Sequence, residues 1–318
     1  MTASGLQRME LVLDWIANVQ FAGPCWAVAH GLYRDAGIDM ALVPWEAEDR
    51  DIVAKTCARD VPAIGSSEDN LVIAAAARGA APVAAMAAMF QTTPLVLMSQ
   101  PAKPLERIAD LRGKRVAIHC DGLHVLEGLM HLHDIAADDV EIVEVTNDLD
   151  NLTSGGFDAV QGYAVCEPQE HAARGLHPAT LTLRHPSLHP YAQVMFAPTA
   201  SIEAHAGLYR AALDATFAGW QAVLADPVGA ARAIEAVGAP MADRALQAEA
   251  LGQVGALVRG MGDDGRLGLG CIDPARWAAN IAAYARVGLV PDTTAPDCAL
   301  RADLWPSTQH QTQSGAAE

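Results

Sequence analysis

The chain has 318 residues, of which 51% are hydrophobic, and 38 acidic against 21 basic residues give it a formal net charge of −17. This length predicts two lobes or domains with sizeable cores, and the apolar content argues against a disordered chain. The acidic excess repels a phosphate backbone, so nucleic acid is not an expected partner.

No run of about 18 or more uncharged apolar residues is present, so no membrane insertion is predicted. Met1 to Glu10 lacks the basic segment and apolar stretch of a signal peptide. We expect a cytoplasmic chain as written, or a periplasmic one if an upstream signal has been removed. The six cysteines are scattered singly, which predicts reduced thiols and neither a metal site nor a cofactor.

The first part of the chain alternates apolar runs with helical patterns. Strands are predicted at 9–14, 38–44, 61–65, 82–90 and 94–99, and helices at 25–36, 49–59 and 71–77. The polar run Ser66 to Asn70 lies between the third strand and an apolar helix, so Ser67 or Asp69 is predicted to cap that helix. A strand, a polar loop and a helix start in succession are typical of a ligand-binding loop.

After Pro101 and Pro104 the pattern restarts and predicts a second α/β unit with a mainly parallel sheet. Strands are predicted at 115–119, 141–145, 158–163 and 191–197, and helices at 105–111, 120–133 and 167–174. Alanine-rich helices follow at 203–225, 227–237, 241–258 and 273–287, with Pro227 and Pro274 in first turns. The polar tail 307–318 is predicted to be disordered.

Five segments carry a resemblance to a known family: Leu13-Asp14-Trp15, Gly31-Leu32-Tyr33, Ala36-Gly37-Ile38-Asp39, Leu105 to Val116, and Val223 to Pro227. In this order they resemble the family that unites thiamine-pyrimidine synthases with ABC-transporter proteins binding pyrimidine precursors, sulfonates and related solutes. The resemblance covers roughly residues 9 to 290.

That resemblance implies an α/β, type II periplasmic-binding-protein fold: two lobes with mainly parallel sheets, and an interlobe cleft that closes on a small molecule. The first lobe would comprise 1–100 plus 196–306, and the second 101–195. The implied ligand-binding residues are Asp14, Trp15, Asn18, Ser66, Ser67, Glu68, Cys120, Asp121, Gly122, Tyr163 and Glu167, with Tyr191 added at the return crossover.

Four of these assignments have a structural alternative. Trp15 can stack a flat heterocycle or pack between lobes, and Asn18 can bind an aminopyrimidine edge or cap its loop. Glu167 can accept bonds from a ring amino group or be a first-turn helix acid. The backbone N–H groups of residues 120–122 can cradle an anionic or carbonyl group, unless Asp121 is simply an N-cap.

Two further residue groups are weaker candidates. His131 and His133 are two apart on a helix, so they do not share a face for a metal. Cys25 lacks a local base, because His30 falls on another face, and a small buried hydrophobe is the better interpretation.

The eukaryotic synthases of the family consume their own histidine in the helix after the third strand, and they carry a cysteine cluster in the returning strand. Here the matching segments read Asn70-Leu71-Val72-Ile73 and Pro190 to Phe196, without histidine or cysteine. Self-sacrificing synthesis is therefore disfavoured.

The leading hypothesis is the solute-binding component of an ABC-type uptake system, with a thiamine-pyrimidine-precursor-like ligand and an ABC permease as partner. The alternative is a cytoplasmic enzyme on the same scaffold, either a divergent thiamine pyrimidine synthase or a lyase using Cys25, Cys120 or Glu167.

Overall fold

The computed structural model describes residues 5–46, 49, 51–145, 150–237, 244–259 and 268–304. The predicted disordered tail, 307–318, lies outside these residues. The described residues fall into two compact units. The first unit comprises the described residues within Met1–Thr92, Tyr191–Trp277 and Asp297–Glu318. The second unit comprises the described residues within Thr93–Pro190 and Ala278–Pro296.

The strands are β1 (Gln7–Val12), β2 (Ile38–Val43), β3 (Ala63–Ser67), β4 (Val83–Phe90), β5 (Leu95–Ser99), β6 (Arg115–Ile118), β7 (Glu141–Glu144), β8 (Ala159–Tyr163), β9 (Ala179–Thr182) and β10 (Ala192–Pro198). The α-helices are α1 (Ala22–Ala29), α2 (Leu32–Asp35), α3 (Ile52–Cys57), α4 (Asp69–Ala77), α5 (Cys120–Leu132), α6 (Asp150–Thr153), α7 (Glu167–Ala173), α8 (Thr199–Ala204), α9 (Ala206–Ala225), α10 (Pro227–Val237), α11 (Arg244–Arg259) and α12 (Pro274–Arg286). Short 3-10 turns lie at Val19–Phe21, Ile108–Leu111, Ala137–Asp139 and Ala302–Leu304. None of the helices within the described ranges combines the length and the apolar composition that a membrane span requires.

Each unit contains one five-stranded mixed sheet. The first has the order β2-β1-β3-β10-β4, with β1 parallel to β2 and β3, and β10 antiparallel to β3 and β4. The second has the order β7-β6-β8-β5-β9, with β6 parallel to β7 and β8, and β5 antiparallel to β8 and β9. The carboxyl ends of the parallel strands therefore lie together at one edge of each sheet, where ligands bind in open α/β folds.

The cores explain the apolar runs. Every residue of β4 and β5 is buried, as expected for strands covered on both faces. In the first unit α1 packs tightly on α9 because small residues face each other: a Cβ on Gly219 would collide with the backbone oxygen of Gly23, and one on Gly23 with the Trp220 ring. The second unit has its own apolar cluster, which includes Val96, Met98, Ala117, Leu152 and Val160.

Several local predictions need correction. The helix expected over 25–36 is split into α1 and α2, because Gly31 has a φ of +77°, a left-handed conformation that glycine adopts readily. The cap predicted for α4 is wrong: the N-cap is Glu68, without a side-chain capping bond, and Asp69 lies inside the helix. Pro227 and Pro274 do begin α10 and α12.

Candidate functional site

Polar residues collect at one edge of the first sheet. Asp14 and Trp15 follow β1, while Ser66 and Ser67 are the last residues of β3 and precede Glu68. Because β10 runs antiparallel to β3, with Val194 opposite Ser67, the first residues of β10 reach the same edge. Ser66, Ser67 and Glu68 are all buried, and Asp14 is half-buried.

Gln193 connects the polar residues at this edge of the sheet, and no local sequence pattern singles it out. The hydroxyl of Ser66 donates to Gln193 Oε1 at 2.6 Å, and Gln193 Nε2 makes long contacts of 3.5 Å with Asp14 Oδ2 and Gln20 Oε1. Gln193 is buried and has a φ of +53°, a left-handed conformation unusual for a residue with a side chain. Backbone strain of this kind is concentrated at functional sites.

Asp69 joins the start of α4 to the segment before β10. Its Oδ2 accepts the backbone N–H of Tyr191 at 3.0 Å, and its own N–H donates to the Tyr191 carbonyl at 3.3 Å. The Tyr191 ring has no exposed surface: its hydroxyl accepts from Asp273 N–H at 2.8 Å, and the Arg276 guanidinium lies 3.6 Å from the ring centroid. These contacts join the residue before β10 to the start of α4 and to the start of α12. The ligand contact predicted for Tyr191 stays a prediction.

Asn18 and Trp15 adopt defined local structures in the loop after β1. Asn18 Oδ1 accepts the Gln20 N–H at 2.9 Å and caps the 3-10 turn that follows, which confirms the loop-capping interpretation. Trp15 is half-buried and stacks on Trp45, with ring centroids 4.9 Å apart. Ligand contacts by these two residues stay predictions.

The second unit presents its own polar set at the carboxyl ends of β6 and β8. Gln161, on β8, accepts the His119 N–H at 3.0 Å through Oε1 and donates from Nε2 to Asp121 Oδ1 at 2.9 Å. Asp121 Oδ1 also accepts the Gly122 N–H at 2.9 Å, so a carboxylate already lies at the start of α5, where an anion cradle was expected. The N-cap is His119, so the alternative of an Asp121 N-cap is wrong.

Gly122 allows this arrangement because a Cβ there would collide with the Gln161 side-chain amide. The sequence singled out Gly122 and Asp121 but not Gln161, whose position inside a strand gives no signal of its role.

Glu167 begins α7 directly after the turn that ends β8. Its Oε2 accepts the Tyr163 backbone N–H at 2.7 Å, and its side chain is buried. Burial raises the pKa of the Glu167 carboxyl to about 7, against the lowering effect of two backbone N–H groups, those of Tyr163 and Glu167; the nearby charges of Glu170 and Asp121 add to the rise. At neutral pH the carboxyl is therefore a mixture of donor and acceptor forms.

The candidate thiols differ in exposure but not in the direction of their pKa shift. Cys25 is buried in α1, as the sequence predicted, and burial raises its pKa to about 12. Cys120 is exposed, yet desolvation and the charges of Asp121 and Glu144 raise its pKa to about 11. Neither position favours the thiolate that nucleophilic catalysis requires. Among the described residues, no group of His, Cys, Asp and Glu is arranged to hold a metal ion.

Comparison with known families gives one match. Residues 18–230 match the profile of a family described as NMT1/THI5 like. No curated protein sequence matches the chain.

Solved structures resemble the chain over nearly its whole length. The periplasmic sulfonate-binding protein of a putative sulfonate ABC transporter from Methylobacillus flagellatus has a TM-score of 0.69 at 15% identity, covering 98% of this chain and 96% of that one. The alkanesulfonate-binding protein from Xanthomonas axonopodis pv. citri, bound to MOPS, has a TM-score of 0.67 at 13% identity, and the match covers 93% of this chain and 98% of that one. The desulfurization enzyme DSZB has a TM-score of 0.59 at 14% identity, and the match covers 97% of this chain and 99% of that one. At these identities the likeness confirms the expected periplasmic-binding-protein fold and no more.

Proposed function

The chain belongs to the NMT1/THI5-like family, and on that premise we propose that it is a solute-binding protein, the ligand-capturing component of an ABC-type import system. Its solute in this proposal is a small planar nitrogen heterocycle with an exocyclic amino group, like a pyrimidine precursor of thiamine. The ABC permease of that system is its partner.

The solute-binding part of the proposal is supported by the structural neighbours, two of which are sulfonate-binding proteins of ABC transporters. A further neighbour, from Staphylococcus aureus, is the ligand-binding component of an ABC-type import system. The neighbours therefore include several binding components of import systems. The desulfurization enzyme supports the fold alone, and the raised pKa of both candidate thiols argues against nucleophilic catalysis by cysteine.

The observation that carries the choice of solute is the environment of Glu167. A carboxyl with a pKa of about 7 is available in both forms. As an acid it can donate to a ring nitrogen and accept from an exocyclic amino group at the same time, and as a carboxylate it can accept from the amino group and a protonated ring nitrogen. An aminopyrimidine presents this donor and acceptor pair along one edge.

The charges of the candidate residues also favour an amino-bearing ligand. The twelve candidates from the sequence include four acids, Asp14, Glu68, Asp121 and Glu167, and no Lys or Arg. Carboxylates repel a sulfonate and attract an amino-bearing or cationic group. We therefore propose that this chain differs in ligand class from its sulfonate-binding structural neighbours.

The test is calorimetry with purified full-length protein against 4-amino-2-methylpyrimidine, MOPS and benzoate, preceded by native mass spectrometry to identify any co-purifying molecule. We expect the pyrimidine alone to bind. Trp15→Ala should weaken its binding about tenfold, because an aromatic face supplies stacking contact. Ile16→Ala, a change at the neighbouring residue, which is 45% exposed, is the control and should bind as the wild type does. Binding of MOPS or benzoate without the pyrimidine would overturn the proposal.

A further inference from the structure

We propose that Trp45 is a positioning residue for Trp15, and that the stacked pair gives the protein its selectivity for planar rings over saturated ones. This inference rests on the proposed function and extends it to a residue that neither the sequence patterns nor the family resemblance selected. Every contact that supports it lies within the first unit.

The topology brings the two indoles together. β1 and β2 are parallel and paired to their last residues, with Val12 opposite Val43, so the residues just beyond them leave the sheet side by side. The pairing continues past the strands, since Leu13 N–H donates to the Val43 carbonyl at 2.9 Å and Trp45 N–H to the Trp15 carbonyl at 3.4 Å. The backbones of both tryptophans are therefore held relative to each other before their rings touch.

The rings then stack. Their centroids are 4.9 Å apart and their planes are 30° from parallel, within the range of favourable aromatic pairs. Both side chains are half-buried. Trp45 therefore packs against one face of the Trp15 indole and restrains its rotation.

A second group of contacts fixes Trp45 itself. The indole N–H of Trp45 donates to the Asp49 carbonyl at 3.3 Å. Asp49 Oδ2 accepts the Glu46 N–H at 2.8 Å and the Lys55 ammonium at 2.5 Å, and Lys55 also donates to the Pro44 carbonyl at 3.1 Å. Lys55 belongs to α3, so this ion pair anchors the Trp45 loop to a helix.

The consequence is a ring held in place before the ligand arrives. A side chain that is already ordered loses less conformational entropy on binding. The affinity therefore rises for ligands that stack on the flat face of Trp15. A saturated ring of the same charge is puckered, so it makes less face-to-face contact with the indole and benefits less from the ordering of Trp15. Trp45 therefore acts on ring planarity, not on ligand charge.

The test uses two probes with the same amidinium group, benzamidine with a planar ring and cyclohexanecarboxamidine with a saturated one. Both are titrated by calorimetry into full-length wild type, Trp45→Ala, Trp45→Phe and Lys55→Met. We expect Trp45→Ala to lose about tenfold in benzamidine affinity with little change for the saturated probe, and Trp45→Phe to stay within about threefold of wild type. Lys55→Met keeps both indoles and should lose benzamidine affinity by a smaller factor.

Far-UV circular dichroism gives an independent readout, because two stacked indoles couple their transitions and produce an exciton couplet. The couplet should be present in wild type and absent in Trp45→Ala and Trp15→Ala. Equal loss of both probes in Trp45→Ala, or no loss of either, would overturn the inference while leaving ligand binding by the wild type intact. Failure of the wild type to bind the planar probe would also overturn the inference. The proposed function is overturned only if 4-amino-2-methylpyrimidine, titrated alongside, does not bind either.

Discussion

The carboxylate of Glu167 accepts the backbone N–H of Tyr163 at 2.7 Å, across the turn between β8 and α7. This bond holds a buried acid at the end of a sheet strand, where burial raises its pKa to about 7 from a usual value of 4.5. The raised pKa has a consequence for stability as well as for ligand choice.

Glu167 should make stability depend on pH. Between about pH 4.5 and about pH 7 the folded protein holds a proton that the unfolded chain releases, so the free energy of unfolding falls as pH rises through this window. Glu167→Gln removes the titration but keeps an oxygen to accept the Tyr163 N–H. We compare the free energies of unfolding in urea at about pH 5 and about pH 8. The fall between these two pH values should be smaller in the variant than in wild type by about 1–3 kcal/mol. Glu106→Gln, at an exposed position, is the control and should follow wild type.

Gln193 should show two separable effects, one from its side chain and one from its backbone. Gln193→Ala and Gln193→Gly both remove the bond from Ser66 and should each destabilise the protein. Gly should be the more stable of the two by about 1 kcal/mol, because a φ of +53° costs alanine more than glycine. Asp134 has the same φ at an exposed position, so Asp134→Ala and Asp134→Gly measure the backbone effect alone. Equal stability of the two Gln193 variants would show that no strain is stored there.

Gly122 should tolerate no side chain. Gly122→Ala places a methyl group against the Gln161 amide, whose Cδ would lie 2.8 Å away, and separates Gln161 from Asp121 and the His119 N–H. We expect a loss of about 1–3 kcal/mol, since buried polar groups lose their partners. The matched change Gly252→Ala, in α11 with nothing within 4 Å, should instead stabilise the helix by about 0.5–1 kcal/mol. Stabilisation by both changes would contradict the packing described at Gly122.

Local sequence patterns predicted much of the fold. Apolar runs located most strands, and prolines marked the starts of α10 and α12, because these signals depend on neighbouring residues only. The antiparallel course of β5 and β10 was not predicted, since strand direction is decided by pairing with distant segments. β9 was missed because only Leu181 in its four residues is buried, too few for a clear alternation.

The candidate site was predictable to a similar extent. Asp14, Trp15 and Glu167 follow strand ends, and that position can be read from the sequence. Gln193 and Trp45 could not be selected in this way. The role of Gln193 depends on partners more than 100 residues away, and that of Trp45 on the pairing of β1 with β2.

Selection of an amino-bearing ring over a sulfonate by the carboxylates is best measured by calorimetry with benzamidine and benzenesulfonate at about pH 8, where Glu167 is mostly ionised. The two probes share a ring and differ in the sign of their charge. We predict that the wild type binds benzamidine, that Glu167→Gln weakens this binding about tenfold, and that benzenesulfonate does not bind. Tighter binding of benzenesulfonate than of benzamidine, unchanged in Glu167→Gln, would contradict selection of the ligand by carboxylate charge.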